Sequence, residues 1–518
     1  MLQELGNLEG IDLSECKHLI KLPDFFKASS LKRVNLSGCE SLVDLHPSVL
    51  FADTLVTLIL DRCKKVRRVR GEIHLNFLEK ISVDGCTSLE EFAVSSNLIE
   101  NLDLSSTGIQ TLDLSIGSLE KLKRLNLDSL RLNCLPKGLS SVTSIIELKI
   151  SGSALIAEKR QIHKLFDGLR SLQILHMKDF INRFELPNNI HVVSKLKELN
   201  LDGSNMKRLP QSIKKLEELE ILSLVNCRKL ESIPELPPRI TVLNAVNCTS
   251  LVSVSNQKEL ATKMMGKTKH ISFSNSLNLD RHSLRLIMES LNSTMMSAVF
   301  QNVSVRRLRV DVHSYNYNSV DACGPGTSIP RLLDCETVAD SSITIQLIPY
   351  SYNLLGFIYA VVVSPAGGNG TKSGVARIKC QCKLGEDIKA SWLNTDVSEL
   401  NSDHVYVWYD PFHCDSILKF YPSKICFEFY ATNATGEVNG SISIKECGVR
   451  QVSVEELESI LPELELDTQK EEELKKAVEL ESEHIIILEP IQKHSLSISL
   501  GLQLFNHSLS VVSSYMLC

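Results

Sequence analysis

The residues best suited to chemistry are a group of thiols and one imidazole between residues 380 and 414. Cys380-x-Cys382 would put two thiols on one face of a β-strand, and His413-Cys414 adds an imidazole and a third thiol. Zn²⁺ prefers such ligands. However, the fifteen cysteines of the chain contain no Cys-x-x-Cys pair and no Cys/His series with zinc spacing. We therefore expect reduced, buried thiols here and no metal ion.

No other set of residues indicates catalysis. The chain has no Gly-x-x-x-x-Gly-Lys-Ser/Thr phosphate loop, so no nucleotide site is predicted. The β-rich part of the chain has no nucleophile elbow and no pair of acids in a recognisable loop. We predict that the protein is not an enzyme, with no catalytic residue and no cofactor. An enzyme hidden within residues 300–452 is the alternative, and a hydrolase screen of that segment would test it.

One short phrase is repeated eleven times along the first half of the chain. It is nearly complete at Leu31–Leu42, which reads Leu-x-x-Val-x-Leu-x-x-Cys-x-x-Leu. The cysteine position recurs every 21 to 27 residues, at Cys16, Cys39, Cys63, Cys86, Thr107, Leu130, Ser153, Phe180, Ser204, Cys227 and Cys248. This is the leucine-rich-repeat pattern, in which each repeat adds one strand to a solenoid. We expect the repeat cysteines to be buried and the Leu/Ile-Pro pairs to give an irregular convex side.

The residue between the two leucines of each Leu-x-Leu should point away from the core, because strand side chains alternate. These outward residues form one row: Asp12, Asn35, Ile59, Ser82, Asp103, Asn126, Lys149, His176, Asn200, Ser223 and Asn244. The middle of this surface is basic and suits an acidic or amide-rich partner loop, although a merely solvated face is the alternative for each residue alone. With aromatic loops further along the chain, the predicted partner-binding residues are Lys123, Arg124, Lys149, His176, Lys178, Lys197, Asn200, Tyr350, Tyr352, Trp408 and Tyr409.

The charge balance argues against a nucleic-acid partner. The net charge is −6, and residues 455–483 hold twelve acids and three lysines, or −9, so the remainder sums to +3. The one dense basic run, Arg62–Arg70, fits a solvated convex loop, with a phosphate or acidic-partner site as the alternative. Leu354–Val363, the longest apolar stretch, is about half the length of a membrane helix. We predict a soluble, reduced protein of the cytoplasm or nucleus without a membrane span.

Four parts of the chain differ in pattern. The fold class predicted is an α/β leucine-rich-repeat solenoid followed by an all-β sandwich. The solenoid takes residues 1–250, and residues 251–302 form a capping linker with helices at Gln257–Met265 and His282–Phe300. Seven or more short strands, beginning with Val303–Val312, place the sandwich at 303–452. Residues 453–518 are an acidic helical and Ser/Leu-rich tail.

Several segments resemble plant intracellular immune receptors of the TIR–NB-ARC–LRR class. Glu235–Leu251 is similar to the terminal repeat of that class, and Phe273–Leu277 is similar to its Phe-x-Asn-Cys-x-x-Leu junction, with serine in place of cysteine. Gly324–Pro330 and Cys447–Arg450 resemble the domain that follows the repeats, a jelly-roll or Ig-like module. Arg331–Leu333 stands where an aromatic pair is common in the family.

The resemblance implies a function in recognition. In the family, the repeats and the post-repeat domain together bind a pathogen effector protein and restrain the nucleotide-binding core. We therefore expect the sensor part of a disease-resistance receptor, a truncated product or a fragment of a longer one. The alternative is a generic leucine-rich-repeat adaptor of protein–protein interactions. The chain shows no TIR segment and no phosphate loop, so the family's NAD or nucleotide chemistry is not carried over to it.

Overall fold

Parallel strands stacked at regular intervals build the first half of the molecule. The computed structural model describes residues 5–112, 114–130, 132, 134–152, 159–182, 184–255, 269–308, 319–347, 354–365, 376–384, 387–393, 397, 399–410, 423–433, 435–440 and 442–460. Eleven parallel strands match the eleven predicted repeats. They are β1 (Gly10–Asp12), β2 (Arg33–Asn35), β3 (Thr57–Ile59), β5 (Lys80–Ser82), β7 (Asn101–Asp103), β8 (Arg124–Leu127), β9 (Glu147–Ser151), β10 (Ile174–Lys178), β11 (Glu198–Asn200), β12 (Ile221–Ser223) and β14 (Val242–Asn244).

The leucines and cysteines of the repeats fill the solenoid core. Leu36 and Leu60 are fully buried, as predicted. The buried Cys63 thiol donates to the carbonyl oxygen of Leu36, 3.1 Å away, and the next repeat cysteine does the same one repeat further on. Each thiol therefore occupies a small apolar site and also satisfies a backbone acceptor of the preceding strand. Cys16, in the first of the described repeats, is exposed, contrary to the prediction.

The convex side is irregular, as the prolines predict. It carries the short helix α1 (Pro47–Leu50), the helix α2 (Lys159–Gly168) and 3-10 helices at Leu114–Ser118, Leu139–Ser141, Asn188–Val192 and Gln211–Lys215. Pro187 and Pro210 stand directly before the last two of these. Two pairs of short parallel strands complete this side, β4 (Arg68–His74) with β6 (Glu91–Ser95) and β13 (Ser232–Ile233) with β15 (Ser253–Val254).

The parallel sheet continues beyond residue 250, where the sequence places the end of the solenoid. β16 (Lys269–Ser272) pairs with β14, and β17 (Val320–Pro325) pairs with β16, both in parallel. Asn275 adopts a left-handed φ of 59°, as Asn247 does one repeat earlier. The turn after β16 therefore copies the repeat turn. Asparagine tolerates this conformation because its short polar side chain bonds locally.

One long helix lies between β16 and β17. Helix α3 spans Arg281–Leu308 and includes the predicted helix His282–Phe300. The prediction of a strand at Val303–Val312 is wrong for residues 303–308, which form the last turns of α3. Met295, Met296 and Val299 are buried, and such packing outweighs the strand preference of β-branched residues. The predicted helix Gln257–Met265 lies outside the described residues. No helix among those described is long and apolar enough to cross a membrane.

Two sheets enclose a second core in the C-terminal part. β17 also pairs antiparallel with β23 (His404–Asp410), and this sheet continues through β20 (Leu354–Pro365) and β25 (Ile442–Ser453) to β18 (Glu336–Val338). The other sheet contains β19 (Ser342–Gln346), β24 (Lys424–Asn433), β21 (Ala376–Leu384) and β22 (Asp387–Leu393). A 3-10 helix (Arg331–Leu333) and the terminal helix α4 (Val454–Ile460) complete the described chain. The first of these sheets is thus continuous with the solenoid sheet.

Candidate recognition surface

The outward residues of the parallel strands form the predicted row, which we call the strand face. Asp12, Asn35, Ile59 and Ser82 lie in register on the first four strands. A second run of directly paired positions begins at Asp103 and continues through Asn126, Lys149, His176, Asn200, Ser223, Asn244 and Ser272 to Cys323. The register predicted from the sequence is therefore confirmed, except between Ser82 and Asp103, where the two strands do not pair.

The asparagines of this row hold the turns that follow their strands. In Asn35, Asn126 and Asn200 the side-chain oxygen accepts a hydrogen bond from the backbone N–H two residues later, at 3.0–3.1 Å. Such Asx contacts fix the chain locally. Asn200, predicted to bind a partner, therefore uses its carbonyl oxygen within its own turn.

The basic stretch of the strand face is largely neutralised by its neighbours. Lys123 lies 2.7 Å from Glu100, and His176 lies 2.7 Å from Glu198. Glu147 accepts from Lys149 at 2.7 Å and lies 3.6 Å from Arg124. The hydrogen bond that Lys149 donates to Glu147 raises the pKa of the Lys149 ammonium. The expected basic patch is therefore a surface of alternating charge, which the sequence did not reveal because three of these four pairs join residues one repeat apart.

Two of the predicted lysines differ from the others. Within the described part of the chain, neither Lys178 nor Lys197 has a carboxylate within 4.0 Å. Both lie on the strand face, at the end of β10 and just before β11. They are the members of the predicted site whose charge remains available to a partner.

Two of the four predicted aromatic anchors are buried. Trp408 is 3% exposed and Tyr409 is 1% exposed. Trp408 packs against Tyr359 and Phe429, with ring centroids 5.3 and 6.0 Å apart. Both faces of β23 are covered, one by the core between the two sheets and the other by the core that runs on from the solenoid. Tyr350 and Tyr352 lie outside the described residues.

The cysteine pair considered for metal binding is part of the second core. Cys380 and Cys382 are buried on β21, opposite Phe429 and Phe427 of β24. His413 and Cys414 lie outside the described residues. Among the residues that are described, no group of three or more His, Cys, Asp or Glu side chains is arranged to hold a metal ion.

Several side chains of the basic run Arg62–Arg70 pair with acidic residues of nearby repeats. Arg62 lies 2.6 Å from Glu15, Lys64 lies 3.1 Å from Glu40, and Arg70 lies 2.8 Å from Glu91. These side chains are half exposed or more, apart from Glu40 and Glu91 at 41% and 37%. Exposed pairs of this kind stabilise a fold by about 0–1 kcal/mol each. The geometry favours the solvated surface over a phosphate site.

A cleft on the strand face was not predicted. It has a volume of about 620 Å³ and is lined chiefly by Lys80, Ser82, Asn101, Asp103, Arg124 and Lys149. Of these, only Arg124 and Lys149 were predicted as site residues. The repeat from Cys86 to Thr107 is one of the two shortest, at 21 residues, and this was the only sequence signal near the cleft.

The fold and this surface together define a leucine-rich-repeat protein whose strand face is polar, in register and free of recognisable catalytic groups in its described part. Comparison with known proteins places its relatives in plant defence. The chain is 25% identical over 479 residues to the disease resistance protein RPS4B of Arabidopsis thaliana, covering 86% of this chain and 36% of that protein. It is 30% identical over 483 residues to the Arabidopsis thaliana protein SUPPRESSOR OF npr1-1, CONSTITUTIVE 1, covering 88% of this chain and 30% of that protein.

The homologues of the chain are thus plant disease resistance proteins of the TIR–NB–LRR class, which confirms the resemblance seen in the sequence. The chain spans about a third of the length of the curated relatives it matches. No protein-family model matches it. Among solved structures, a leucine-rich-repeat protein of Leptospira interrogans, LIC12759, aligns with a TM-score of 0.32 and 18% identity, over 53% of this chain and 80% of that one.

Proposed function

We propose that the chain is the sensor part of a plant disease resistance receptor and that it binds a pathogen effector protein through its strand face. The in-register row of polar outward side chains carries the proposal. Eleven parallel strands from β1 to β14 present this row, and a surface of that length accommodates a standard protein–protein contact of about 800 Å² per partner. The names of the relatives, which are disease resistance proteins, support the same function.

The remaining parts of the proposal follow from the resemblance. Residues 303–452, apart from the end of α3, act as a post-repeat β-sandwich that contributes loops to the contact. In the absence of an effector, the chain restrains a nucleotide-binding core, and this takes place in the cytoplasm or nucleus. The continuous sheet from β14 through β16 and β17 to β23 supports a joint action of the two parts.

Binding measurements with effector proteins test the proposal. The chain is immobilised, and purified effectors from pathogens of its host are passed over it by surface plasmon resonance. Charge reversal of the two available lysines, Lys178→Glu with Lys197→Glu, should slow association about tenfold, because exposed charges act mainly by steering. The matched control is Lys214→Glu with Lys215→Glu on the convex 3-10 helix, which should leave association unchanged.

A contrary result has two forms. If Lys178→Glu with Lys197→Glu leaves effector binding unchanged, or if both double variants weaken it equally, the strand face is not the effector-binding surface. If the chain binds host proteins and no effector, the generic adaptor function is the better description.

A further inference from the structure

The strand ladder is interrupted at one place on the strand face. β1, β2, β3 and β5 form one sheet, and β7 begins the next one. On either side of the interruption, two consecutive amides donate to one carbonyl of the preceding strand. Glu79 N and Lys80 N donate to Val56 O, and Lys123 N and Arg124 N donate to Glu100 O. Among the described backbone bonds, β5 and β7 have no such link.

The interruption falls where the convex side of the solenoid changes. The two repeats before it carry the strands β4 and β6 on that side, and the next repeat carries the 3-10 helix Leu114–Ser118. A strand and a 3-10 helix differ in width and in rise per residue, so two such repeats do not stack at one uniform spacing. The cleft of about 620 Å³ lies over this junction.

The charges around the cleft differ in sign between the first and the second outward position of the strands. In the first outward position of each strand, Lys80 and Arg124 stand on either side of Asn101. Arg124 donates to the side-chain oxygen of Asn101 at 2.9 Å and remains 63% exposed. Lys80 is exposed and, within the described chain, has no carboxylate within 4.0 Å. The first position therefore offers Lys80, together with the exposed part of Arg124, to an incoming carboxylate, although the Arg124 guanidinium also lies 3.6 Å from Glu147 in the wall of the cleft.

The second outward position has the opposite sign. Asp103 is exposed between Ser82 and Asn126. Its carboxylate accepts from the backbone of Ser105 at 2.8 Å and from the amide of Asn126 at 3.0 Å, and no cation lies within 4.0 Å of it in the described structure. The carboxylate is thus held in place with its negative charge uncompensated.

We propose that this cleft binds an extended polypeptide segment carrying an acidic residue and a basic residue two positions later, an acid-x-base segment of a partner protein. The proposal places the segment parallel to β7, so that its acidic side chain meets Lys80 and Arg124 and its basic side chain, two residues later, meets Asp103. Asn101 and Asp103 are separated by one residue of a strand, so their side chains lie about 6.6 Å apart on one face. An extended segment repeats the same spacing between its own residues i and i+2, so both charges meet their partners at once.

The inference deepens the proposed function and rests on it, since it assigns the effector contact to one part of the strand face. The volume of the cleft suits a few residues of chain, within the range of about 300–1,000 Å³ typical of ligand sites. Exposed ion pairs add little affinity individually, so the segment determines the register and the specificity of a larger contact.

Two fluorescein-labelled peptides of the same composition test the inference. One is acetyl-Ser-Thr-Asp-Thr-Lys-Thr-Ser-amide, and the other exchanges Asp and Lys. Fluorescence polarisation with the full chain should show that the acid-x-base peptide binds about tenfold more tightly, as three small charge terms add to roughly 1.4 kcal/mol. The double variant Lys80→Glu with Asp103→Lys should invert this preference. The matched control, Lys64→Glu with Glu40→Lys, exchanges an ion pair away from the cleft and should leave the preference unchanged.

The inference is overturned if neither peptide is preferred, or if the preference survives the exchange at Lys80 and Asp103 in a variant whose thermal unfolding matches the parent chain. The two proposals fail separately. If effector binding depends on Lys178 and Lys197 but neither peptide is preferred, the peptide site in the cleft is refuted and the proposed function is not. If the peptide preference inverts in the double variant but no effector binds the chain, the peptide site is supported and the sensor function is refuted.

Discussion

The backbone amide of Asn275 donates to Nε2 of His404 across 2.8 Å and joins residues 129 positions apart in the sequence. The Asn275 side chain also donates to Glu399 O and accepts from the amide of Asn401. On the other side it reaches Asn247 of the preceding turn, at 2.9 Å. One residue in a left-handed turn therefore connects the end of the solenoid with the loop before β23.

This contact makes the stability of the joint depend on pH. His404 is fully buried, and burial lowers the pKa of its imidazole below the ordinary 6.5. Its Nδ1 bonds the carbonyl of Ser402, so Nε2 must stay unprotonated to accept from Asn275. Because the unfolded chain binds the proton more readily, this stability is complete above pH 6.5 and declines as the pH falls through the lower folded pKa. We therefore expect the free energy of unfolding to decrease as the pH is lowered below 6.5.

Urea unfolding at a series of pH values checks this. His404→Gln should flatten the acid side of the profile relative to the parent chain, whereas His163→Gln, at an exposed histidine, should not. His270, whose pKa is raised against its burial by Asp321, titrates in both chains and cancels in the comparison. Asp403 interacts with His404, so any change in its titration belongs to the effect of the substitution. If the unfolding free energy falls equally steeply with decreasing pH in His404→Gln and in the parent chain, the contact between Asn275 and His404 is not the source of the pH dependence.

Arg450 is a second connection, and it ties three elements together. It is 8% exposed, donates to Asn292 of α3 at 2.9 Å and to Leu333 O at 3.1 Å, and pairs with Glu456 of α4. Arg450→Met leaves these acceptors unpaired and should cost about 3 kcal/mol of unfolding free energy. The neighbouring exposed Glu455→Ala should change it by less than about 0.5 kcal/mol. Similar denaturation midpoints for the two variants would contradict this.

Gly168 marks a close contact between α2 and the preceding repeat. A Cβ at this position would collide with the backbone oxygen of Ser140. Gly168→Ala should therefore lower the unfolding free energy by about 1–3 kcal/mol, as overpacking does. Gly440→Ala, where no atom lies within 4 Å of the added carbon, is the matched control and should be neutral. A thermal melt in which Gly168→Ala matches Gly440→Ala would show that the repeats separate easily here.

The cysteines should divide sharply in reactivity. Burial raises the pKa of the Cys63, Cys86 and Cys248 thiols to about 12. Against an ordinary pKa of 9.0, this leaves about a thousandfold less thiolate at neutral pH. Native-state alkylation with iodoacetamide, followed by peptide mass spectrometry, should modify Cys16, Cys134 and Cys426, which are exposed. Labelling of Cys63 at a comparable rate in the folded chain would contradict the buried series.

The repeat register could be predicted from the sequence because leucine spacing determines it locally. Leu36 and Leu60 are buried and the outward row is in register for that reason. The neutralised basic stretch could not be predicted, since Lys123 meets Glu100 only through stacking of repeats. Trp408 was misplaced because alternation identifies two faces of a strand but not whether both are covered. The cleft escaped notice because it depends on how two unlike repeats stack.

The sheet that runs from the solenoid into β23, β20 and β25 also limits edge-to-edge pairing between copies of the molecule at this end. A repeat array normally ends in a strand with a free row of amides and carbonyls, which invites edge-to-edge pairing and aggregation. Here each strand from β14 to β25 pairs with its neighbours, and the edge of the sheet is β18, which has only three residues, all exposed. So short an edge offers little template for another strand, and growth of the sheet stops within the molecule.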